Sequence, residues 1–296
     1  MFFITKTPYQ VVNESFLYYN INCGDWRMKN MIEIDGLDFK YKDISVFNNL
    51  TLTIKEGSFT TILGANGSGK TTLVKLILGL IYGNSVVMCN SIPVTKENIK
   101  EIRKKIGVVF ENPEQNFVAE TVMDEIAFSL ENLQMPPKQI KEKIKDIAKQ
   151  LNLENFLELE PHTLDVQNKQ LVALAAAVVT NPKLLIIDEG FNNLDSKVRE
   201  NVLTIIKRLN KENNMTVIQV TDNLEDCLYG DTIILLDEGK AILSGPKEEV
   251  LEHEEDFEKA KLDLPFIVAL SNKLKFYNLI NKTYFDPEKL VDDLWK

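Results

Sequence analysis

The 296-residue sequence contains few cysteines, only two histidines and no long apolar segment. Cys23, Cys89 and Cys227 are far apart and form no CxxC or metal-spaced cluster, which indicates a reducing cytosol and buried thiols. No apolar run approaches the roughly 18–20 residues that span a bilayer, and the first twenty residues lack the pattern of a secretory signal. We therefore expect a cytosolic protein that can serve a membrane only as a peripheral subunit.

Basic residues are also in short supply. Lysine and arginine number 34 against 44 aspartates and glutamates, which gives a net charge of −10. A protein that binds nucleic acid through its phosphate backbone needs basic surface, so this balance predicts no nucleic-acid partner. The 44% hydrophobic and 26% charged residues describe an ordinary globular protein rather than a disordered one.

The chain divides into three regions by composition. Residues 1–30 are rich in aromatic residues without helical or strand periodicity, and we interpret them as a loosely ordered extension or as the product of a start codon assigned too early. Residues 31–245 form the main domain. Residues 246–296 open with an acidic stretch and continue with the apolar-periodic LPFIVALSNKL, which predicts a small helical extension packed on the main domain.

The main domain alternates predicted strands with predicted helices. Two half-buried strands that alternate apolar and polar residues come first, followed by buried strands and by helices with apolar stripes. Strands alternating with helices predict a parallel α/β sheet, here with an antiparallel β unit in front. The predicted strands are 37–41, 50–55, 59–63, 106–110, 184–187 and 216–220, the predicted helices cover 140–151 and 195–209, and a hairpin covers 232–245.

The segment ILGANGSGKTT (62–72) fits the pattern G-x-x-x-x-G-K-[ST] in full and lies between a predicted strand and a predicted helix. Glycines let the backbone curl until successive N–H groups point at phosphate oxygens, and the helix N-terminus adds its positive end. Lys70 would bridge the terminal phosphates and Thr71 would offer its hydroxyl to Mg²⁺. The predicted nucleotide-binding residues of this loop are Gly64, Ala65, Asn66, Gly67, Ser68, Gly69, Lys70, Thr71 and Thr72.

A second motif, LLIIDE (184–189), ends a buried strand in two carboxylates. Asp188 suits the Mg²⁺ shell, and Glu189 suits the polarisation of a water for attack on the γ-phosphate. A strand that ends in Asp-Glu is by itself common at protein surfaces, where the two acids have no catalytic role. Combined with the phosphate loop, it predicts hydrolysis of a bound nucleotide.

With these two motifs, the sequence resembles the ATP-binding cassette (ABC) ATPases over about residues 31–245. The fold that this resemblance implies is an α/β P-loop NTPase of ABC type, with a mainly parallel sheet, an antiparallel β subdomain and a helical subdomain at about 112–165. It implies ATP and Mg²⁺ as cofactors and Tyr41 as the aromatic that stacks on adenine, although Tyr41 also suits a core position on an edge strand. Asn192–Asp195 correspond to the loop that crosses to a partner subunit.

Finer features resemble the ATPase subunits of energy-coupling factor transporters, which import vitamins and metal ions. The features are VVFENPEQNFVAETVMDEIAFSLEN (108–132), PHTL (161–164), KQLVALAAA (169–177) and LDLPF (262–266). This resemblance implies a pair of related ATPases, most simply a heterodimer with a paralogue, with a homodimer as the alternative. It also implies a membrane coupling protein on which the pair docks at the cytoplasmic face.

Three positions depart from the family pattern. LDVQN (164–168) replaces the L-S-G-G-Q signature, which presents backbone N–H groups and a serine hydroxyl to the γ-phosphate held by the other subunit. Asp165 brings a negative charge there, and the glycine freedom needed for close approach is lost. Glu111 replaces a glutamine that touches Mg²⁺ and the attacking water, and a carboxylate can still ligate the ion. Asp222 replaces a histidine that donates to the γ-phosphate.

An ionised Asp222 would repel the nucleotide. One pair of like charges at about 4 Å and an effective dielectric near 20 costs on the order of 4 kcal/mol. The two histidines, His162 and His253, lie outside the position that Asp222 occupies. We therefore expect an ATPase subunit that binds nucleotide and hydrolyses it slowly.

Two alternatives remain open from the sequence. The chain could be a non-hydrolysing nucleotide-binding subunit paired with an active paralogue. It could also be a P-loop enzyme unrelated to transport, such as a small-molecule kinase, although residues 112–165 contain no arginine from which a basic lid could be built.

Overall fold

The structure is a computed structural model that describes residues 29–295. The predicted N-terminal extension (1–30) lies almost wholly outside these residues. The strands are β1 (Asn30–Tyr41), β2 (Ile44–Lys55), β3 (Phe59–Leu63), β4 (Met88–Cys89), β5 (Ile92–Pro93), β6 (Ile106–Phe110), β7 (Leu184–Asp188), β8 (Thr216–Thr221), β9 (Thr232–Asp237) and β10 (Lys240–Pro246). The helices are α1 (Lys70–Ile77), α2 (Ile99–Arg103), α3 (Val122–Asn132), α4 (Pro137–Gln150), α5 (Val166–Val178), α6 (Ser196–Asn213), α7 (Lys247–Val250), α8 (Glu254–Lys259), α9 (Phe266–Phe276) and α10 (Pro287–Leu294).

The central sheet has six strands in the order β10-β9-β3-β8-β7-β6. β3 pairs in parallel with both β8 and β9, and β7 pairs in parallel with both β6 and β8. Every residue of β3, β7 and β8 is buried, as expected for parallel strands covered on both faces. The carboxyl ends of β3, β6, β7 and β8 lie at the same edge, since Phe110 pairs with Asp188, and Asp188 with Val220.

A four-stranded antiparallel sheet, in the order β2-β1-β4-β5, lies in front of the parallel sheet. The long hairpin β1–β2 buries one face, and its apolar side chains share a core with α1 and with strands β3, β7 and β8. Phe39 opposes Phe47 across the hairpin. This arrangement confirms the predicted antiparallel unit.

The segment between β6 and β7 forms the helical part of the molecule. The apolar stripe of α4, formed by Ile140, Ile144 and Ile147, packs into the same core as α3, α5 and one face of the parallel sheet. Glu125 on α3 is buried, and its carboxylate accepts hydrogen bonds from the backbone N–H groups of Val118 (2.8 Å) and Ala119 (2.9 Å). This carboxylate therefore fixes the connection between β6 and the helices.

The residues after β10 form four short helices, α7 to α10. Phe257 and Val268 are fully buried, and they share a core with Leu63, Ile233 and Leu235 of the central sheet. Ser271 and the backbone of Tyr284 join α9 to the segment before α10 through hydrogen bonds in both directions. No described helix is long and apolar enough to cross a membrane.

Candidate nucleotide site

The phosphate loop runs from the end of β3 into α1. Gly67 and Gly69 have φ angles of 86° and 107°, in the left-handed region that glycine adopts without strain. A Cβ on Gly69 would lie 2.7 Å from the Phe47 ring, and one on Gly64 would lie 2.4 Å from the Leu236 carbonyl oxygen. The loop is therefore packed from behind, and its shape requires these glycines.

No side chain caps the N-terminus of α1, and its first turn carries no acidic residue. The first N–H groups of a helix have no partner inside the helix and carry the positive end of its dipole. The Ser68 hydroxyl oxygen is buried and makes no hydrogen bond within the described residues. These free donors suit an anion with several oxygens, such as the phosphates of a nucleotide.

Lys70 lies in the centre of this loop and is only 4% exposed. Its ammonium donates to the carbonyl oxygens of Gly64 (2.7 Å) and Ala65 (3.3 Å). The same nitrogen lies 3.5 Å from a carboxylate oxygen of Glu189. The charge is thus held by loop carbonyls and by the acid that follows β7, at the point where terminal phosphates would enter.

Thr71, Asp188, Glu189 and Glu111 line one cavity of about 430 Å³. They come from the start of α1 and the ends of β7 and β6, which the parallel sheet places side by side. Of the residues predicted for metal ligation and catalysis, the structure thus brings all four together. The cavity is completed by Lys75, Phe110, Asn112, Gln115 and Asn116.

Asp188 is 5% exposed, and its Oδ1 atom has no hydrogen-bond partner among the described residues. Burial raises the pKa of this carboxyl to about 6, and the neighbouring Glu189 carboxylate adds to the increase. Nearby Lys70 and Lys75 oppose the shift. A buried carboxylate oxygen with an unused lone pair suits a cation.

The donor set around this cavity fits Mg²⁺. Threonine hydroxyl and carboxylate oxygens are hard ligands, and Mg²⁺ in nucleotide sites takes few protein ligands and completes its shell with phosphate oxygens and water. No group of three or more His, Cys, Asp or Glu residues that could hold a metal occurs in residues 29–295. The protein would therefore supply only part of a Mg²⁺ shell, for which Thr71 and Asp188 are candidate ligands.

Glu189 follows β7 with a φ of 54°, an unusual backbone conformation for a residue other than glycine. Its backbone N–H donates to the carbonyl oxygen of Val220 on β8 at 2.9 Å. A non-glycine residue in this region carries strain that the surroundings must hold, and such residues concentrate at functional sites. Here the strand-end hydrogen bond holds the backbone while the carboxylate reaches toward Lys70.

Tyr41 ends β1, is 41% exposed, and makes an edge-to-face contact with Phe39 at 4.9 Å between ring centroids. The same hairpin carries Phe47, which is the ring directly behind Gly69. Tyr41 is therefore a partly open aromatic on the hairpin that backs the phosphate loop. The exposure argues against the alternative of a core tyrosine, and stacking on adenine stays a prediction.

The LDVQN segment begins α5. Asp165 is the N-cap of this helix, and its two carboxylate oxygens accept from the backbone N–H (2.7 Å) and the side-chain amide (3.0 Å) of Asn168. Gln167 accepts from the N–H of Asp195 at 3.3 Å, and Val166 is 54% exposed. The N-terminus of α5 therefore already carries an anion of its own, which a phosphate from a partner would have to oppose.

Asp222 follows β8 at the same edge as Asp188 and Glu189. It is exposed, and it is not among the described residues that line the cavity. Its neighbour Asn223 caps the short helical turn Leu224–Leu228 by accepting from the N–H of Glu225 at 3.0 Å. Asp222 thus borders the site without facing into the cavity around Glu189.

Sequence reasoning did not single out the contacts that join the first turns of α5 to the segment that follows β6. The buried side chain of Gln170 donates to the backbone carbonyl oxygen of Glu111, and Lys169 pairs with Glu114 at 2.6 Å. Both residues lie in the KQLVALAAA stretch. Two adjacent polar residues in an otherwise apolar helix are the feature of the sequence that indicates such contacts, because buried polar groups need hydrogen-bond partners.

The comparisons with known proteins agree with this geometry. Residues 47–192 match the family described as ABC transporter. The chain is 34% identical over 269 residues to the "Energy-coupling factor transporter ATP-binding protein EcfA1" of Geobacillus kaustophilus (strain HTA426), covering 90% of this chain and 96% of the relative. It is 38% identical over 268 residues to the protein of the same name from Ligilactobacillus salivarius (strain UCC118), covering 89% and 95%.

Solved structures show the same likeness. The structure of cbiO1 from Clostridium perfringens, described as part of the ABC transporter complex cbiONQ, has a TM-score of 0.70 at 27% identity and covers 82% of this chain and 99% of that one. A dimeric, post-hydrolysis ATP-binding cassette, MJ0796 with ADP and Pi, has a TM-score of 0.67 at 28% identity, covering 73% and 98%. The fold and the phosphate site define an ABC-type P-loop ATPase.

Within that class, the chain belongs to the family of ATP-binding proteins of energy-coupling factor transporters.

Proposed function

We propose that the chain is the ATP-binding subunit of an energy-coupling factor importer, where it couples ATP binding and hydrolysis to uptake of a vitamin or a metal ion. The observation that carries this proposal is the convergence of Thr71, Asp188 and Glu189 on one cavity beside the phosphate loop, where the Lys70 ammonium lies 3.5 Å from Glu189. The curated relatives, which are named as ATP-binding proteins of such transporters, supply the transport context.

In this proposal each residue has one role. The free N–H groups of the loop and the Lys70 ammonium bind the phosphates, and Tyr41 stacks on adenine. Thr71 and Asp188 would hold Mg²⁺, with Glu111 within reach, and the bound ion would neutralise charge on the phosphates. Glu189 accepts the proton of a water that attacks the γ-phosphorus, and the bond to the β-phosphate oxygen breaks to leave ADP and phosphate.

The proposed partner in nucleotide hydrolysis is a paralogous cassette ATPase that forms a heterodimer with this chain. The nucleotide site on the phosphate loop of this chain, here called its cradle, would then be completed by the signature segment of the paralogue. The cradle of the paralogue would be completed by residues 164–168, where Asp165 already occupies the helix N-terminus. The two nucleotide sites of the pair are therefore unequal, and ATP bound to the paralogue's phosphate loop is hydrolysed more slowly.

The proposed membrane partner is the coupling protein of the transporter, and we infer that it docks in a groove beside the helical region. This groove has a volume of about 700 Å³ and passes next to Phe110 and Pro113, which flank Glu111. It is lined by small residues of α5, Ala173 and Ala177, and by the basic residues Lys100, Arg103 and Lys104. Small residues let a helix approach closely, and a basic rim suits the negative carboxyl end of a helix.

A second candidate function is a nucleotide-binding subunit that does not hydrolyse ATP. One observation favours it: the exposed carboxylate of Asp222, at the position where the family carries a histidine. In that case ATP closes the dimer and the paralogue performs all hydrolysis. Restoring the histidine with Asp222→His separates the two, because it would raise turnover only if the cradle of this chain is active.

The proposal is tested by affinity purification of the full chain from its own membranes in mild detergent. A second cassette ATPase and a polytopic membrane protein should co-purify in fixed proportion, and the complex should hydrolyse Mg-ATP. As a control, Ala173→Arg places a long side chain in the groove from a partly buried position, and it should release the membrane protein while the ATPase pair persists. Recovery of the wild-type chain without any membrane protein would refute the transport assignment.

A further inference from the structure

Arg199, on the first turns of α6, binds the segment that follows Glu189. Its guanidinium donates to the carbonyl oxygen of Phe191 from Nε (3.1 Å) and from Nη2 (2.8 Å), and Nη2 also reaches the carbonyl oxygen of Asn192 (3.2 Å). The side chain is 16% exposed. The planar fork of arginine therefore fixes the chain between Glu189 and Asp195 through two adjacent carbonyls.

The third guanidinium nitrogen, Nη1, faces Asp226 at 3.8 Å from its Oδ1 atom. Asp226 is 2% exposed and belongs to the short helical turn after Asp222. Its Oδ2 atom accepts from the side-chain amide of Gln219 (2.9 Å) and lies 3.4 Å from the hydroxyl of Thr221. The buried carboxylate thus joins the end of β8 to α6.

Thr221 extends this contact toward the site. Its hydroxyl oxygen accepts from the backbone N–H of Asn223 at 3.0 Å, so Asp222 lies between two residues that are held through Asp226. On the other side, the N–H of Glu189 is bonded to Val220 of the same strand. The segments 189–195 and 221–228 are therefore connected twice: directly through β8, and through the Arg199–Asp226 pair.

We propose that Arg199 and Asp226 are positioning residues that hold segments 189–195 and 221–228 as one unit, so that a displacement of either is passed to the other. The inference rests on the proposed function insofar as segment 189–195 meets the partner subunit and Asp222 borders the γ-phosphate. Under it, contact with the partner at Asn192–Asp195 sets the position of Asp222 and of Glu189.

A contribution to stability does not by itself account for the Arg199–Asp226 pair. Burial raises the pKa of Asp226 to about 6 although Arg199 opposes the shift, so the charged form of this aspartate is disfavoured where it lies. A buried ion pair is weak evidence for stability, because well-packed apolar residues of similar size often stabilise a fold as much or more. What the charged pair adds is a fixed spacing between two segments that approach the nucleotide cavity.

Hydrogen exchange of the full chain, read by mass spectrometry, tests the coupling without any nucleotide. Arg199→Lys keeps the charge and loses the fork, and Asp226→Asn keeps an acceptor for Gln219 and loses the charge. Each variant should raise exchange at least tenfold in both segments, relative to β3 as an internal reference for global opening. Arg208→Lys on the same helix, at an exposed position, and Asp231→Asn, at a partly exposed position, should change neither segment by as much as twofold.

The double variant Arg199→Lys/Asp226→Asn should exchange no faster than the faster single variant. Faster exchange confined to 189–195 in Arg199→Lys, and to 221–228 in Asp226→Asn, would overturn the inference.

Turnover by the complex, as it purifies from membranes, tests the consequence for the reaction. Both single variants should lower kcat at least tenfold and change the KM for ATP less than twofold, because the phosphate loop is untouched. An active wild-type complex with variants of unchanged kcat would overturn the positioning role. A wild-type complex without ATPase activity would instead count against the proposed function and leave the exchange result standing.

Discussion

The substitution Glu189→Gln probes the proposed hydrolytic site most sharply. It is isosteric, so the backbone with a φ of 54° and its hydrogen bond to Val220 should persist. It removes the charge that lies 3.5 Å from the Lys70 ammonium and that helps to raise the pKa of Asp188. Three consequences follow: loss of the proton acceptor, release of Lys70 from its carboxylate partner, and a less negative cavity.

The expected changes in turnover and in ATP affinity follow from the position of the Glu189 carboxylate. A positioned general base contributes about 10²–10⁴-fold, or about 3–5 kcal/mol of activation free energy. Two like charges about 5 Å apart at an effective dielectric near 20 repel by about 3 kcal/mol, which is the order of the repulsion between Glu189 and a γ-phosphate. Solvent at the partly exposed carboxylate reduces this figure. We therefore expect turnover to fall at least 100-fold and ATP to bind at least tenfold more tightly.

The assay is phosphate release by the purified complex, with ATP affinity measured in parallel on the same preparation. Glu212→Gln, the same isosteric change on the exposed face of α6, is the matched control and should leave both quantities unchanged. Equal turnover in wild type and Glu189→Gln would remove Glu189 from the mechanism. Lower turnover without tighter binding would show that its charge does not face the phosphates.

Three further predictions concern other parts of the site. Asp165→Ser removes the charge at the start of α5 but keeps a cap, so the paralogue's site should become active and turnover of the complex should rise about twofold with little change in stability, and unchanged phosphate release would contradict the assignment of Asp165 as the block. Burial raises the pKa of Asp226 to about 6, so protonation of this carboxyl stabilises the folded state fully below pH about 4, and this stabilisation is lost as the pH rises through about 6. On going from pH 7.5 to pH 5, the free energy of unfolding of wild type should therefore increase by about 1.4 kcal/mol more than that of Asp226→Asn. Urea titration measures both increases, and equal increases would refute the shift. Lys70→Met should weaken binding of a fluorescent ATP analogue at least 100-fold at an unchanged Tm, and an undiminished signal would exclude Lys70 from phosphate binding.

Much of the fold was predictable because the strands of a parallel sheet are short, buried and bounded by turn residues. The predicted strand 59–63 coincides with β3, the strand 106–110 with β6, and the hairpin 232–245 with β9 and β10. Helix α1 after the phosphate loop ends at Ile77, and Gly79 follows with a φ of 58°, which stops the helix. The predicted helix 195–209 corresponds to α6, whose N-cap Asp195 makes no capping hydrogen bond with its side chain.

The site was predictable to the extent that it is local in sequence. The phosphate loop is continuous, and the strand ending in Asp188 and Glu189 is a single motif. The partners that hold these residues are distant in sequence: Gln170 binds the carbonyl of Glu111, and Arg199 binds Asp226. Such pairs depend on how helices pack on the sheet, and neither residue of a pair is distinctive before the fold is known.

The role of Asp165 illustrates the remaining gap. From the sequence, it is a charge in place of a serine. In the structure, both of its oxygens bind Asn168, so the charge is held at the helix N-terminus rather than free to turn away. Sequence predicts the change of charge, but only the local geometry shows that the charge stays where a phosphate would approach.

The most direct test of the central claim, that residues 64–72 bind the phosphates of ATP, is calorimetric titration of the folded full chain with ATP in the presence and absence of Mg²⁺. The account predicts one nucleotide per chain, tighter binding with Mg²⁺, and loss of binding in Lys70→Met. Absence of any heat of binding to the folded wild-type chain, alone and with its co-purifying ATPase, would contradict it.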